Sequence, residues 1–204
     1  MAKDLVIRGN SIYSIVDGPT WTEAEAIANK LGGNLVTIND QEEHLWIYDY
    51  YRESYFSILE ARGEDSLHIG LTRNISNSDK KVTNSAGYSD GWISGEDSSW
   101  RPEYWGIGGT GGDSEGDYTG LIFQPSTSGK YLGVWNYYAN IIYSRQSEGL
   151  AETPFIRRGD SAYVIVEGPT WEEAESNANK LGGHLVTIND AQENQWLVEK
   201  LSNR

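Results

Sequence analysis

The chain contains no cysteine. That excludes disulfides, thiol nucleophiles and Cys-ligated zinc or iron–sulfur sites together, and it leaves the redox compartment undetermined. Histidine is scarce as well. His44, His68 and His184 are scattered along 204 residues, and no triad or metal-ligand spacing joins them, so an enzyme is not expected. No window reaches the roughly eighteen apolar residues of a membrane-spanning helix. The Met-Ala-Lys-Asp start lacks the apolar stretch of a signal peptide. Basic residues are outnumbered, sixteen against thirty acidic, for a formal charge of −14. Nucleic acid and anionic membrane are therefore disfavoured as partners because their phosphates are repelled, whereas cations and neutral ligands suit the charge. Phenylalanine occurs three times, against eight tryptophans and thirteen tyrosines. Such rings bury area and still offer a polar edge, which serves a binding surface and a core alike.

What the chain does have is a repeat. Residues 9–46 align without gaps on residues 159–196, with 26 of 38 positions identical, the mark of an internal duplication. Each copy carries Tyr13/Tyr163, Gly-Pro-Thr-Trp at 18–21 and 168–171, Leu-Gly-Gly at 31–33 and 181–183, and Leu-Val-Thr-Ile-Asn-Asp at 35–40 and 185–190. Thr20 followed three residues later by Glu23 is a capping box, and Trp21, Ala24, Ala28 and Leu31 share one helical face. Gly32 and Gly33 suit a left-handed turn at the end of that helix, and Leu35, Val36 and Ile38 make a brief β-favouring run. Asp40 with Glu43 repeats the capping pattern, so a second helix is expected to carry Leu45, Trp46 and Tyr50 inward. Thr170, Glu173, Asp190 and Glu193 give the second copy the same signals.

Beyond Arg62 the helical pattern fades. Short apolar runs at 68–71, 120–123 and 131–135, separated by Gly, Ser, Asn and Asp, predict strands. Helices first and strands later argue for an α+β fold. The second copy has no such strands after it, so it is expected either to borrow a surface or to be loose.

Thr20-Trp21-x-Glu23-Ala24, Leu31-Gly32-Gly33-x-Leu35 and Glu42-Glu43 resemble the opening of the C-type lectin-like family. Later landmarks follow in family order: Ile69-Gly70-Leu71 with His68 in the usual Trp place, Ser94-Gly95-Glu96, Trp105, Trp135-Asn136 and Gly149-Leu150-Ala151-Glu152. The resemblance covers about 9–153 and implies two helices packed on small antiparallel sheets, with a long irregular loop region. The implied division is a leader at 1–8, one domain at 9–153 and the N-terminal half of a second repeat at 154–204. Where most animal members tie the first helix to the last strand by a disulfide, this chain has Ala28 and Ala151. Tyr118 stands in another half-cystine position, as in bacterial and phage members that depend on packing.

Sugar-binding members hold calcium through a Glu-Pro-Asn-type loop and an Asn-Asp pair. Here Gly109-Thr110-Gly111 falls near the first motif, and Tyr137 follows Asn136. Calcium takes six to eight oxygens, so the loss of these ligands argues against the family's sugar-chelating site. Asp113, Glu115 and Asp117 alternate along an extended segment after a glycine-rich turn and are candidate calcium ligands, joined by Asn136 or Glu148. The alternative is a solvated acidic loop. Glu43 and Glu152 match family positions that sometimes hold a structural calcium, although helix capping also accounts for Glu43. Trp100, Tyr104, Tyr131, Tyr137 and Tyr138, with Asn136, fall in the family's long-loop region as candidate ligand-binding residues, whereas Trp105 and Trp135 are expected in the core.

Two other matches are set aside. The run from Gly106 to Gly111 fits a dinucleotide fingerprint but lacks a following helix and leads into acidic residues. Arg158-Gly159-Asp160 answers Arg8-Gly9-Asn10 in the first copy and reads as a domain-opening segment. The expectation is an extracellular or cell-surface binding module for carbohydrate or protein, with calcium as the one candidate cofactor and self-association through the half repeat. A structural or adhesive repeat of a larger tandem protein is the alternative.

Overall fold

In a computed structural model, residues 3–64, 66–73, 82–83, 89–96, 98–102, 118–123, 134–138 and 148–202 are described. The chain begins with a hairpin of β1 (Lys3–Arg8) and β2 (Ser11–Asp17), so residues 3–8, expected as a leader, are a strand of the domain. The only signal is the three-residue apolar run Leu5-Val6-Ile7, too short to mark a strand by itself. Then follow α1 (Trp21–Lys30), β3 (Asn34–Leu35), α2 (Gln41–Ser54) and α3 (Phe56–Ala61). The strand-rich part comprises β4 (Ser66–Thr72), β5 (Val82–Thr83), β6 (Ser89–Trp92), β7 (Tyr118–Ile122), β8 (Val134–Tyr138) and β9 (Glu148–Pro154).

The caps form as the sequence dictates. Glu23 N–H donates to Thr20 Oγ1 at 3.2 Å and Glu43 N–H to Asp40 Oδ1 at 2.8 Å, each satisfying an amide that the first helical turn leaves open. On α2 the inward face is His44, Ile47, Tyr48 and Tyr51, while Leu45 is exposed and Trp46 and Tyr50 lie half-buried on the flank. The expected face was therefore one position out of phase. Trp46 and Tyr50, one turn apart, stack on each other at 5.8 Å, and Trp46 packs edge-on against Tyr13.

The main sheet runs β1-β2-β9-β4-β6-β5, with β3 on β9, and β7 bridging β4 to β8. Strand β4 is buried along its whole length because helices or strands cover both faces. One apolar cluster joins Tyr13 and α2 to Leu67, Ile69, Trp92, Leu121 and Trp135. A second joins Trp21, Ala24 and Ala28 to Leu35, Tyr118 and Ala151. The small apolar contact expected in place of the family disulfide is thus made: Ala28 and Ala151 are fully buried in one cluster.

Helix α1 ends in a Schellman motif, with Gly32 N–H to Asn29 O, Gly33 N–H to Ala28 O, and Gly32 at φ +84°. Gly33 is needed for a different reason than expected: a Cβ there would sit 2.1 Å from the backbone oxygen of Glu152.

Residues 155–201 repeat the opening. Strands β10 (Ile156–Arg158) and β11 (Ser161–Tyr163) pair in the register of β1 and β2, and α4 (Trp171–Lys180) and α5 (Ala191–Leu201) carry the same Thr and Asp caps. This second unit touches the first where Glu167 N–H donates to Lys30 O at 3.0 Å and where Leu181 packs on the second apolar cluster. At Gly183 the nearest atom to an added Cβ is Ala178 O at 3.8 Å. Gly33→Ala is accordingly expected to cost about 1–3 kcal/mol through overpacking, and Gly183→Ala less than about 0.5 kcal/mol. Denaturant midpoints of the two variants check this.

Candidate functional site

The long-loop region springs from a tryptophan cluster. Trp135 and Trp92 are fully buried and meet edge-to-face at 5.7 Å, and Trp100 closes on Trp135 at 5.5 Å and on His44 at 5.4 Å. The Trp135 indole N–H lies 3.3 Å from His44 Nδ1, so the ring that faces α2 also finds a polar partner. Trp92 Nε1 donates to Ser98 O at 3.0 Å, and Ser98 Oγ to Ile38 O at 3.2 Å. Just before residue 103 the chain is clamped by Arg101. Its Nη2 donates to the fully buried Asp90 carboxylate at 2.7 Å, its Nη1 donates to Ser98 O and Trp100 O, and its guanidinium stacks over Trp92. A buried aspartate without a partner is costly, so this pair fixes the point from which the loop departs. Sequence reading missed it, since the two residues are eleven apart and no periodicity connects them. The one available signal was an arginine inside an otherwise acidic, glycine-rich stretch.

Of the candidate ligand-binding residues, Trp100 is half-buried with one flank in the core. Asn136, Tyr137 and Tyr138 lie on β8, in register with Gly120, Thr119 and Tyr118. Tyr104, Tyr131, Asp113, Glu115, Asp117 and Trp105 lie outside the described residues.

Glu43 and Glu152, paired on family grounds, do come together. The Tyr13 hydroxyl donates to Glu43 Oε1 at 2.6 Å and lies 3.3 Å from Glu152 Oε1. Glu43 Oε2 accepts from Asn39 N–H at 2.8 Å, and Arg8 stands 3.7 Å from Oε1. Burial raises the Glu152 carboxyl to about 7, with the Glu43 and Glu96 charges adding to the effect against hydrogen bonds from Ser11 and Tyr13. Burial, with Glu152 and Glu43 beside it, likewise raises the Tyr13 phenol.

The second unit tests whether this arrangement fits a calcium. Tyr163 donates to Glu193 at 2.8 Å, Asn189 N–H donates to its other oxygen at 2.9 Å, and Arg158 stands 3.7 Å away, with no counterpart of Glu152 among the described residues. The tyrosine–glutamate–arginine set therefore recurs as a local feature of the opening, with Arg8 placing a positive charge beside Glu43. Among the described residues no group of three or more acidic or histidine side chains is placed to hold a metal. Glu148 is fully buried and faces Arg62 at 3.0 Å and the Tyr55 hydroxyl at 2.7 Å. Both of its oxygens are thus committed within the fold.

Human lithostathine superposes with a TM-score of 0.52 at 18% identity, over 76% of this chain and 99% of that one. The C-type lectin CEL-I from Cucumaria echinata gives 0.50 at 17% identity, over 74% and 96%. This is the C-type lectin-like fold. No family model matches the chain. The secretory phospholipase A2 receptor of Bos taurus is 26% identical over 209 residues, which is 95% of this chain and 12% of that receptor. At these identities the C-type lectin-like relatives establish architecture and leave ligand and activity to be argued from the residues.

Proposed function

We propose that residues 3–153 form an extracellular binding module that recognises carbohydrate or protein through the long-loop surface. The observation that supports it best is the C-type lectin-like frame itself: a rigid, tryptophan-filled base from which the chain departs at the Arg101–Asp90 clamp and to which it returns at Tyr118. A close-packed scaffold next to a glycine-rich segment that carries Tyr104 and Trp105 is suited to recognition, because aromatic rings held beside a fixed frame supply contact area. CEL-I is named as a C-type lectin, which favours sugar as the first ligand class to test. No described helix is long and apolar enough to cross a membrane.

Calcium enters this reading through Asp113, Glu115 and Asp117. The Glu43–Glu152 pair would take calcium only by releasing Arg8 and Tyr13. Screening the full chain on a glycan array and against surface proteins, with millimolar calcium and with chelator, is expected to give a ligand that Tyr104→Ala and Tyr137→Ala each weaken about tenfold. Unchanged affinity in both variants would remove the loop surface from the account.

The duplication of 9–46 at 159–196 favours a second reading, an adhesive repeat of a tandem-domain protein. Binding confined to proteins and indifferent to calcium supports it.

A further inference from the structure

The two copies of the opening meet without a linker. Strand β9 ends at Pro154 and β10 begins at Ile156. Pro154 pairs with Ser11, Phe155 N–H donates to Asn10 O at 2.9 Å, and Ile156 pairs with Tyr163. Every residue from Glu148 to Arg158 is therefore engaged in a backbone ladder of one unit or the other. In the first copy β1 starts at Lys3, whose counterpart is Thr153, so the last strand of one unit overlaps the first strand of the next at Thr153 and Pro154. A hinge needs residues whose backbone is free to turn, and this stretch offers none. Phe155 is also buried at the junction, 6% exposed against 37% for its counterpart Leu5, with the Arg157 guanidinium 5.2 Å over its ring.

A second contact lies beside the first. Glu167 N–H donates to Lys30 O at 3.0 Å, at the C-terminal end of α1 where helix carbonyls lack intrahelical partners. Ile165 O approaches Gly32 so closely that a Cβ there would collide with it, whereas a Cβ on Gly182 would meet nothing nearer than Leu5 Cδ1 at 3.5 Å. Gly32 thus serves the junction as well as the left-handed turn.

The edge that makes this contact decides its meaning. Along an antiparallel strand successive residues direct their backbone groups to opposite neighbours. The two-residue turn at Gly159 and Asp160 aims Ser161 and Tyr163 at β10, and Ile165 and Glu167 continue on that side. By the same alternation the first copy turns Ile12, Ser14 and Val16 towards β9. The junction and the pairing of a unit with its own last strand therefore use opposite edges and do not compete. The Leu181 contact is of another kind, since its counterpart Leu31 is buried inside its own unit.

We propose that the Gly9–Asn10 turn and the C-terminal end of α1 form a receiving surface for the opening hairpin of the next C-type lectin-like unit on the same chain. Successive units are held at one fixed angle, with their long-loop surfaces in constant relation, whatever those surfaces bind. Units in small mutual contact move by default, and the unbroken ladder from β9 to β10 removes that freedom. The receiving residues recur in the second copy as Asp160, Lys180 and Gly182, with Gly182 again at positive φ, +75°.

The test is a distance between two spin labels in the whole chain, at Asp49→Cys and Glu199→Cys. These equivalent positions are exposed, and the native chain has no thiol. Pulsed electron resonance is expected to give one narrow distance distribution. Inserting Gly-Ser-Gly between Phe155 and Ile156 is expected to broaden it about threefold, because such residues behave as free coil. Glu167→Pro, which deletes the N–H offered to Lys30 and leaves the ladder intact, is expected to broaden it by a smaller factor. An unchanged main melting transition in both variants separates a loosened junction from unfolding. A distribution in the uninserted chain as broad as in the insertion variant overturns the proposal, and so does an insertion that leaves the distribution narrow.

Discussion

Replacing Trp21 by alanine is expected to destabilise the domain by about 3–5 kcal/mol, in the range of large aromatic deletions from a close-packed core. The same change at Trp171 is expected to cost less than about 1 kcal/mol, as at other exposed positions. Trp21 is buried in the second apolar cluster, its indole N–H donates to Ile69 O at 2.7 Å, and its ring meets Tyr118 at 4.7 Å. The deletion therefore leaves a cavity and an unpaired carbonyl on β4 at the same time. Trp171 opens a helix of the same sequence pattern but lies mostly in solvent. Guanidinium melts of the two variants read the difference, and equal costs would mean that the two copies are covered alike.

The second large effect is on pH dependence. His68, on the doubly covered β4, is lowered by burial to about 4, so below its ordinary value of 6.5 only the unfolded chain takes up the proton. Its contribution to stability is complete above pH 6.5 and is lost as pH falls towards 4, by about 3 kcal/mol in all. Glu25 and Glu152 have the opposite sign. Burial raises each to about 7, so between pH 7 and 4.5 the folded state binds a proton that the unfolded state does not. Each contributes up to about 3 kcal/mol that is present below pH 4.5 and lost as pH rises through 7.

Two groups gain on acidification and one loses. Thermal stability is thus expected to increase from pH 8 to pH 5, and the relief of net negative charge acts in the same direction. In His68→Leu the opposing contribution is gone, so melting temperature should climb more steeply over the same range. Parallel curves for the two proteins would show that the histidine does not report burial.

Much of the architecture was legible because the opening obeys local rules. A Thr or Asp three residues ahead of a glutamate fixes a helix start through one backbone amide, and a Leu-Gly-Gly fixes its end. Neither depends on the rest of the molecule, which is why both survive in the uncovered second copy. The phase of α2 was less legible, since Leu45, Trp46 and Tyr50 compete with Ile47, Tyr48 and Tyr51 for one helical face. Only the position of Trp135 and the strands decides which set is buried.

The Glu43–Glu152 pairing could be anticipated from resemblance. Its real content, a tyrosine bridging two carboxylates with Arg8 alongside, could not, because it joins a hairpin, a helix start and the last strand. Long-range polar sets of this kind, like Arg101 with Asp90, leave no periodicity in the sequence. Strand β1 is hard to foresee for a related reason: Leu5-Val6-Ile7 is a short apolar run, and only its pairing with β2 makes it a strand.

The strand-rich part closes over the first opening and brings Ala28 of α1 against Ala151 of β9 in a chain without disulfides. Introducing Ala28→Cys with Ala151→Cys measures this directly. The account predicts spontaneous disulfide formation in the folded monomer and a stabilisation of about 2–4 kcal/mol from closing a loop of about 120 residues. A cooperatively folded monomer that keeps both thiols free under oxidising conditions would contradict it.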